Sequence, residues 1–332
     1  MEYASLLKDI KNKDFKSIYI LHGDEPYFID QLTDAILENA LEENERDFNQ
    51  TVVYGKDISA DALMNQAKQY PMMAERQVVI VKEGQDFKKF EDLESYFTKP
   101  VATTVLVFCY KYGKIDARKK AFVQAKKNGV VFLSEKVKDY QIVSWITAYI
   151  KSIGYTISEK AAMMIADNLG SNLSLIVNEL DKLQLSIAKG TNISEIHIEE
   201  NIGISKDYNV FELMNAIRNA QSEKAQLIIN HLEHNPKAFS IIQVIGQAFN
   251  MFQNLMKIHF LANKSPETVA QALRLHPFVA KEYIAATRIF NPKKIAVNIS
   301  VLHEYDLKSK GVGDAGTADS ELLKELIYKL LH

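Results

Sequence analysis

The sequence predicts an α/β unit with a mostly parallel sheet, followed by an all-helical remainder. Three observations carry this. Five short apolar runs, at 17–21, 51–53, 78–81, 104–109 and 130–133, alternate with helix-length segments. Beyond residue 138 apolar residues recur only at helical spacing. Only 7 prolines and 13 glycines interrupt 332 residues, which suits helices joined by short connections.

The elements follow in order. Residues 2–13 form a short amphipathic helix before the first strand. His22-Gly23-Asp24-Glu25-Pro26 then turns into a helix that runs to about Glu45. Proline suits its first turn, and the two acids favour its N-terminus. After the second strand Ser59 is placed to cap a helix over 60–69. Pro71 stops that helix. Met72 and Met73 occupy the connection, and Arg76-Gln77 lead into the third strand. Helices over 87–98 and 116–127 flank the fourth strand, and the fifth closes the sheet. The alternation means βαβ units and a sheet covered on both faces. The later helices are expected at 139–152, 158–169 (Ser158 cap), 171–188 (Ser171 cap) and 194–202. After a linker at 203–207 come 209–220, 222–234, 238–262, 266–274, 277–290, 292–309 and 319–331. Gly311 to Gly316 is the one glycine-rich loop.

Composition excludes several classes. With 47% hydrophobic and 25% charged residues and a net charge of -2, no global basic field favours nucleic acid. The single cysteine, Cys109, forbids an internal disulfide, leaves no cysteine-based zinc site and lies in an apolar strand. No run approaches the roughly 18 apolar residues of a membrane span. The opening Met1-Glu2-Tyr3-Ala4 does not read as a signal peptide, so a cytoplasmic location is expected.

The chemistry points away from catalysis. The first strand-to-helix turn is where a phosphate loop, G-x-x-x-x-G-K-[ST], would sit. Here it reads Gly23-Asp24-Glu25-Pro26-Tyr27-Phe28-Ile29-Asp30, without the second glycine, the lysine or the hydroxyl. Two acids oppose phosphate there, and Pro26 removes a backbone donor. The fourth strand ends in Tyr110-Lys111-Tyr112, with no acidic pair for magnesium. His231, Glu233 and His234 share a helix, and a solvated face suits them better than a metal site. Catalytic residues, cofactor and metal are therefore all expected to be absent.

Two features suit binding. Methionine is flexible and polarizable, so Met72 and Met73 either plug an apolar pocket in another protein or fill gaps beneath the sheet. Lys111, Lys114, Arg118, Lys119, Lys120, Lys126 and Lys127 face only Asp116 within 110–127. That cluster is either a face running beside a phosphate backbone or a solvated helix surface. An α/β module followed by a small helical lid is also the layout of AAA+ ATPases, a likeness of fold alone.

Five segments together resemble the delta subunit of the bacterial DNA polymerase III clamp loader. Tyr19 to Tyr27 is similar to that family's opening strand and degenerate nucleotide turn, and Lys114 to Lys120 to its Asp-x-Arg-x-Lys segment. Glu179 to Leu183, Val210 to Leu213 and Leu302 to Gly311 are similar to segments of the later domains. The resemblance implies an AAA+-like α/β clamp-binding domain at 1–138 without a functional phosphate loop. It further implies a small helical lid at 139–205 and a helical collar at 208–332. Met72 and Met73 would be the plug that enters a sliding clamp, with Arg76 and Gln77 beside them. Family members commonly carry Leu-Phe there, so two methionines depart from the pattern. Lys111, Lys114, Arg118, Lys119 and Lys120 would lie near DNA. The implied partners are the sliding clamp, the ATPase and delta-prime-like loader subunits, and primer-template DNA. The chain would then be an accessory subunit of a DNA-directed DNA polymerase, a nucleotidyltransferase holoenzyme. The competing readings are a nucleotide-dependent DNA-remodelling ATPase with an atypical loop and a non-catalytic helical scaffold.

Overall fold

The computed structural model describes residues 2–205, 207–234, 240–275, 277–313 and 316–332, without the side chains of 233, 234, 277 and 278. The chain divides into two compact units, Met1–Val137 and Lys138–His332.

In the first unit α1 (Tyr3–Lys11) precedes β1 (Ile18–Gly23), α2 (Pro26–Asn39) and α3 (Arg46–Asn49). Then come β2 (Gln50–Tyr54), α4 (Ala60–Ala67), β3 (Gln77–Lys82), α5 (Glu94–Thr98), β4 (Thr104–Lys111), α6 (Lys120–Asn128) and β5 (Val130–Ser134). The five strands form one sheet in the order β2-β3-β4-β1-β5, and every pairing is parallel. Alternation along the central strands explains why both faces are covered. Ile18, Ile20, Val79, Val81, Leu106 and Phe108 pack with Leu63, Phe90, Phe97 and Phe122. Their neighbours Tyr19, Leu21, Val78, Ile80, Val105 and Val107 pack with Leu6, Ile29, Leu32 and Ile36. Cys109 belongs to the second face. Its thiol lies 3.2 Å from the Thr33 hydroxyl, and burial pushes its pKa up to about 11.

Three helical segments of this unit depart from expectation by four residues or more. The helix begun at Pro26 ends at Asn39, and a 3₁₀ turn at Glu43–Glu45 separates it from α3. The segment 87–98 is a 3₁₀ turn at Phe90–Leu93 followed by α5, because Lys89 takes a left-handed conformation and interrupts the helix. The helix expected from 116 starts at Lys120. The Asp116 carboxylate accepts the Arg118 N–H at 3.0 Å, and that local turn competes with the helix.

The second unit is helical. It contains α7 (Asp139–Ser152), α8 (Glu159–Leu169), α9 (Leu173–Gln184) and α10 (Glu195–Ile202). There follow α11 (Val210–Arg218), α12 (Ser222–His234), α13 (Ile241–His259), α14 (Pro266–Leu273), α15 (Pro277–Ala286), α16 (Pro292–Ser309) and α17 (Asp319–Leu331). Ser158 caps α8 as expected, whereas Asn172 rather than Ser171 caps α9. Strands do not stop at 138: β6 (Thr156–Ile157) and β7 (Asn192–Ile193) pair in parallel. Residues 238 and 239 of the expected helix 238–262 lie outside the described residues, as do Asp314 and Ala315 of the glycine-rich loop. One apolar core runs through α11 to α17, with Phe252, Phe290 and Leu323 fully buried. Glu212 of α11 ties Lys160 of α8 at 3.0 Å to Lys224 of α12 at 2.5 Å.

Gly23 closes β1 at φ +141°, and a Cβ there would stand 2.0 Å from the Ser134 carbonyl oxygen. Gly23→Ala is expected to cost about 2–4 kcal/mol, since both backbone strain and a clash with rigid backbone oppose it. Urea unfolding of the full chain measures this, and a cost below about 0.5 kcal/mol would contradict the geometry.

Candidate functional site

In a parallel sheet, the connection entering β3 and the turn leaving β1 lie at opposite ends. The methionine loop occupies the first end, beside the edge strand β2, and the degenerate nucleotide turn the second.

The loop from Lys68 to Arg76 leaves α4 and enters β3. Helix ends expose carbonyls that need partners, and here a side chain from beyond the loop supplies them. The Gln77 amide donates to the carbonyls of Gln66, Ala67 and Gln69 and to the Thr104 hydroxyl. Thr104 and Tyr96 add hydroxyl bonds to the Ala67 carbonyl. Gln77 is only 4% exposed. Its amide is committed to holding the loop, so Gln77, expected beside the plug, lies there as a buried support of the loop. Arg76 also packs inward: its guanidinium lies 4.9 Å from the Phe15 ring centroid and pairs with Glu75 at 3.2 Å.

The far side of the loop is held by Asn49, which is 2% exposed. Its Oδ1 accepts the Met72 N–H at 2.6 Å, and its Nδ2 donates to the Met72 carbonyl at 2.9 Å. Met73 follows in a left-handed conformation at φ 52°, unusual for a residue with a side chain. Met72 is 59% exposed and Met73 99%. Tyr70 on the same loop and Phe48, next to Asn49 in sequence, are also largely exposed. Of the alternatives for the methionine pair, gap-filling beneath the sheet is therefore not realised. Asn49 and Phe48 escaped the sequence reading because neither belongs to a motif, and the bond from Asn49 spans 23 residues.

At the opposite end the nucleotide turn is occupied by the protein itself. The N–H groups of Asp24 and Glu25 both donate to the Ser134 carbonyl, at 2.9 and 3.3 Å, and the Ser134 hydroxyl donates to the Glu25 carbonyl at 2.6 Å. These N–H groups lie just before α2, where a phosphate cradle would form. The buried Glu25 carboxylate accepts from the Tyr27 N–H, and burial raises its pKa. His22 is buried beside the turn and accepts the Ile115 N–H at 3.1 Å. Burial, with Lys114 nearby, lowers its pKa.

The basic cluster is less uniform than its sequence suggests. Lys111 is mostly buried and pairs with Asp30 at 2.7 Å, and this bond raises its pKa against the effect of burial. It is therefore removed from the set of free cations. Arg118 is exposed but makes a two-point pair with Asp116, whose pKa falls to about 2. Lys114 lies 3.5 Å from Glu135. Lys119 and Lys120 are exposed at the start of α6. His231 stacks on Tyr208 with centroids 4.6 Å apart, while the side chains of Glu233 and His234 lie outside the described residues. Among the described residues no group of three His, Cys, Asp or Glu is placed to hold a metal ion.

Comparison with known proteins gives one consistent picture. The family model "DNA polymerase III, delta subunit" matches residues 19–135, and that of the delta subunit's C-terminal domain matches 207–329. The DNA polymerase III subunit delta of Bacillus subtilis (strain 168) is 27% identical, over 96% of this chain and 94% of that protein. Among solved structures, the Bacillus subtilis DNA clamp loader delta protein shares the fold, with a TM-score of 0.58 and 24% identity over 99% of each chain.

Gln77→Ala is expected to cost about 1–3 kcal/mol, because it strands buried acceptors and the Thr104 hydroxyl. Met72→Ala combined with Met73→Ala should change stability by less than about 0.5 kcal/mol. Chemical denaturation of the full chain compares the two, and the reverse order would contradict the placement of these side chains.

Proposed function

The chain belongs to the delta-subunit family of DNA polymerase III, and from that premise we propose that it grips a ring-shaped sliding clamp with Met72 and Met73 and favours the ring's opening. The observation that carries this reading is the exposure of both methionines on a loop whose two sides are fixed by buried amides. A solvated apolar pair held in one conformation has the form of a plug for an apolar pocket.

Burying two methionine side chains yields roughly 3–6 kcal/mol before costs. Losing their rotamer freedom takes back about 3–4 kcal/mol. The margin is thin, so a useful grip needs a loop ordered in advance and further contacts around the tip. Exposed Phe48 and Tyr70 are available for such contacts. The ring opens only to the extent that the chain binds the open form more tightly than the closed one.

In this reading the chain is a clamp-loader subunit for loading clamps onto primed DNA, and nucleotide hydrolysis belongs to ATPase partner subunits. The use of the Asp24 and Glu25 N–H groups by Ser134 supports that division of labour. Residues 1–138 would serve as the clamp-binding part, 139–205 as a lid and 208–332 as the collar that joins the delta-prime-like and ATPase subunits. Lys119 and Lys120 are the cations left to face primer-template DNA, and Lys114 and Arg118 would first have to give up Glu135 and Asp116. No helix among the described residues is long and apolar enough to cross a membrane, which fits a replication subunit of the cytoplasm.

The double substitution Met72→Ala, Met73→Ala is expected to weaken binding of the cognate clamp by about 10- to 100-fold in a calorimetric titration. Unchanged affinity would remove the assignment. Isothermal titration of the pure chain with ATP and magnesium should give no saturable heat. Micromolar ATP binding would instead favour the remodelling-ATPase reading.

A further inference from the structure

We infer that Asn49 is the positioning residue of the methionine tip: its buried amide pairs with both backbone groups of Met72 and so presents Met73 before any partner arrives. This rests on the clamp-binding reading, since the tip has no purpose without an apolar pocket to enter.

The geometry is that of a side chain standing in for a strand. A peptide unit in a β ladder offers one donor and one acceptor to its neighbour. A primary amide offers the same pair from a side chain, and Asn49 uses it so, accepting from the Met72 N–H at 2.6 Å and donating to the Met72 carbonyl at 2.9 Å. The second amide hydrogen reaches the Glu45 carbonyl at 3.0 Å, which ties the amide back to its own helix turn. Asn49 directly precedes β2, whose first residue, Gln50, pairs with Val78 of β3. The side chain thus extends pairing past the end of the ladder, out to the loop.

Ala74 packs against the core and Arg76 lies over Phe15, but neither contact bonds the backbone of the tip. Among the described residues, no other hydrogen bond reaches a main-chain N–H or carbonyl between Tyr70 and Arg76. Met73 nevertheless sits at φ 52°, a conformation that persists in a residue with a Cβ only when its surroundings impose it. Met72 is the adjacent residue, and its two backbone bonds supply that constraint. Without them Met73 relaxes toward negative φ, and the 99% exposed side chain leaves in another direction. Binding must then reorder the loop, and affinity falls although both methionines are still present. No other small side chain reproduces the set. Alanine has no polar atoms, and aspartate accepts but, when ionised, cannot donate.

The test uses the full chain and its cognate sliding clamp, titrated with wild type, Asn49→Ala, Asn49→Asp and Met72→Ala/Met73→Ala. Asn49→Ala should bind about tenfold more weakly, the size of one or two lost net interactions. In the free protein its Met72 amide should exchange with solvent much faster, while amides of β1 and β4 keep their protection. That local change separates positioning from general loss of structure. If Asn49→Ala does not fold, Asn49→Asp, which keeps the shape and one bond, carries the test and should bind several-fold more weakly. Wild-type affinity in the folded Asn49 variant, or an unchanged Met72 amide, overturns the inference while a weak double alanine leaves the clamp assignment standing. A double alanine that binds like wild type overturns both.

Discussion

A loop that carries the chain from a helix into a sheet must still find partners for its peptide groups. Here two buried primary amides meet that requirement. Gln77 gathers the carbonyls where α4 ends, and Asn49 pairs with Met72. Because the polar demands of the loop are met from inside the unit, its apolar side chains need not fold inward to rescue it. Met72 and Met73 can stay in solvent without the loop collapsing. Exposed methionine on a fixed backbone carries the proposed grip on a ring.

The same logic operates in reverse at the other end of the sheet. The amides just before α2 would welcome a phosphate, but the Ser134 carbonyl takes them and the Ser134 hydroxyl binds back to Glu25. Gly23 allows this because its lack of a Cβ lets β5 close over the turn. One end of the sheet is thus satisfied internally and closed, while the other is satisfied internally and leaves its side chains free. A partner-binding subunit that leaves nucleotide chemistry to its neighbours suits such a unit.

Much of this was legible in the residues. The short β-branched runs at 78–81 and 104–109 announced buried parallel strands, since a strand covered on both faces is apolar at successive positions. The absence of a lysine after Gly23 announced the missing phosphate loop. What was not legible is non-local. The Met72 backbone is held by Asn49, 23 residues earlier, and no local pattern reports that bond. Gln77 is drawn inside by the otherwise unpartnered carbonyls at the end of α4, a long-range demand that its position before β3 does not report. Lys111 read as one of a cationic set until Asp30 of α2 met it across the fold. The two-residue strands β6 and β7 are too short for any period to show.

The most direct measurement is amide hydrogen exchange of the full chain, alone and saturated with its cognate clamp. Slowed exchange centred on residues 70–74 and reaching Phe48, with the turn at 23–27 unchanged, is the expected result. Protection confined to the second unit, with the methionine loop exchanging as in the free chain, would contradict the proposed grip.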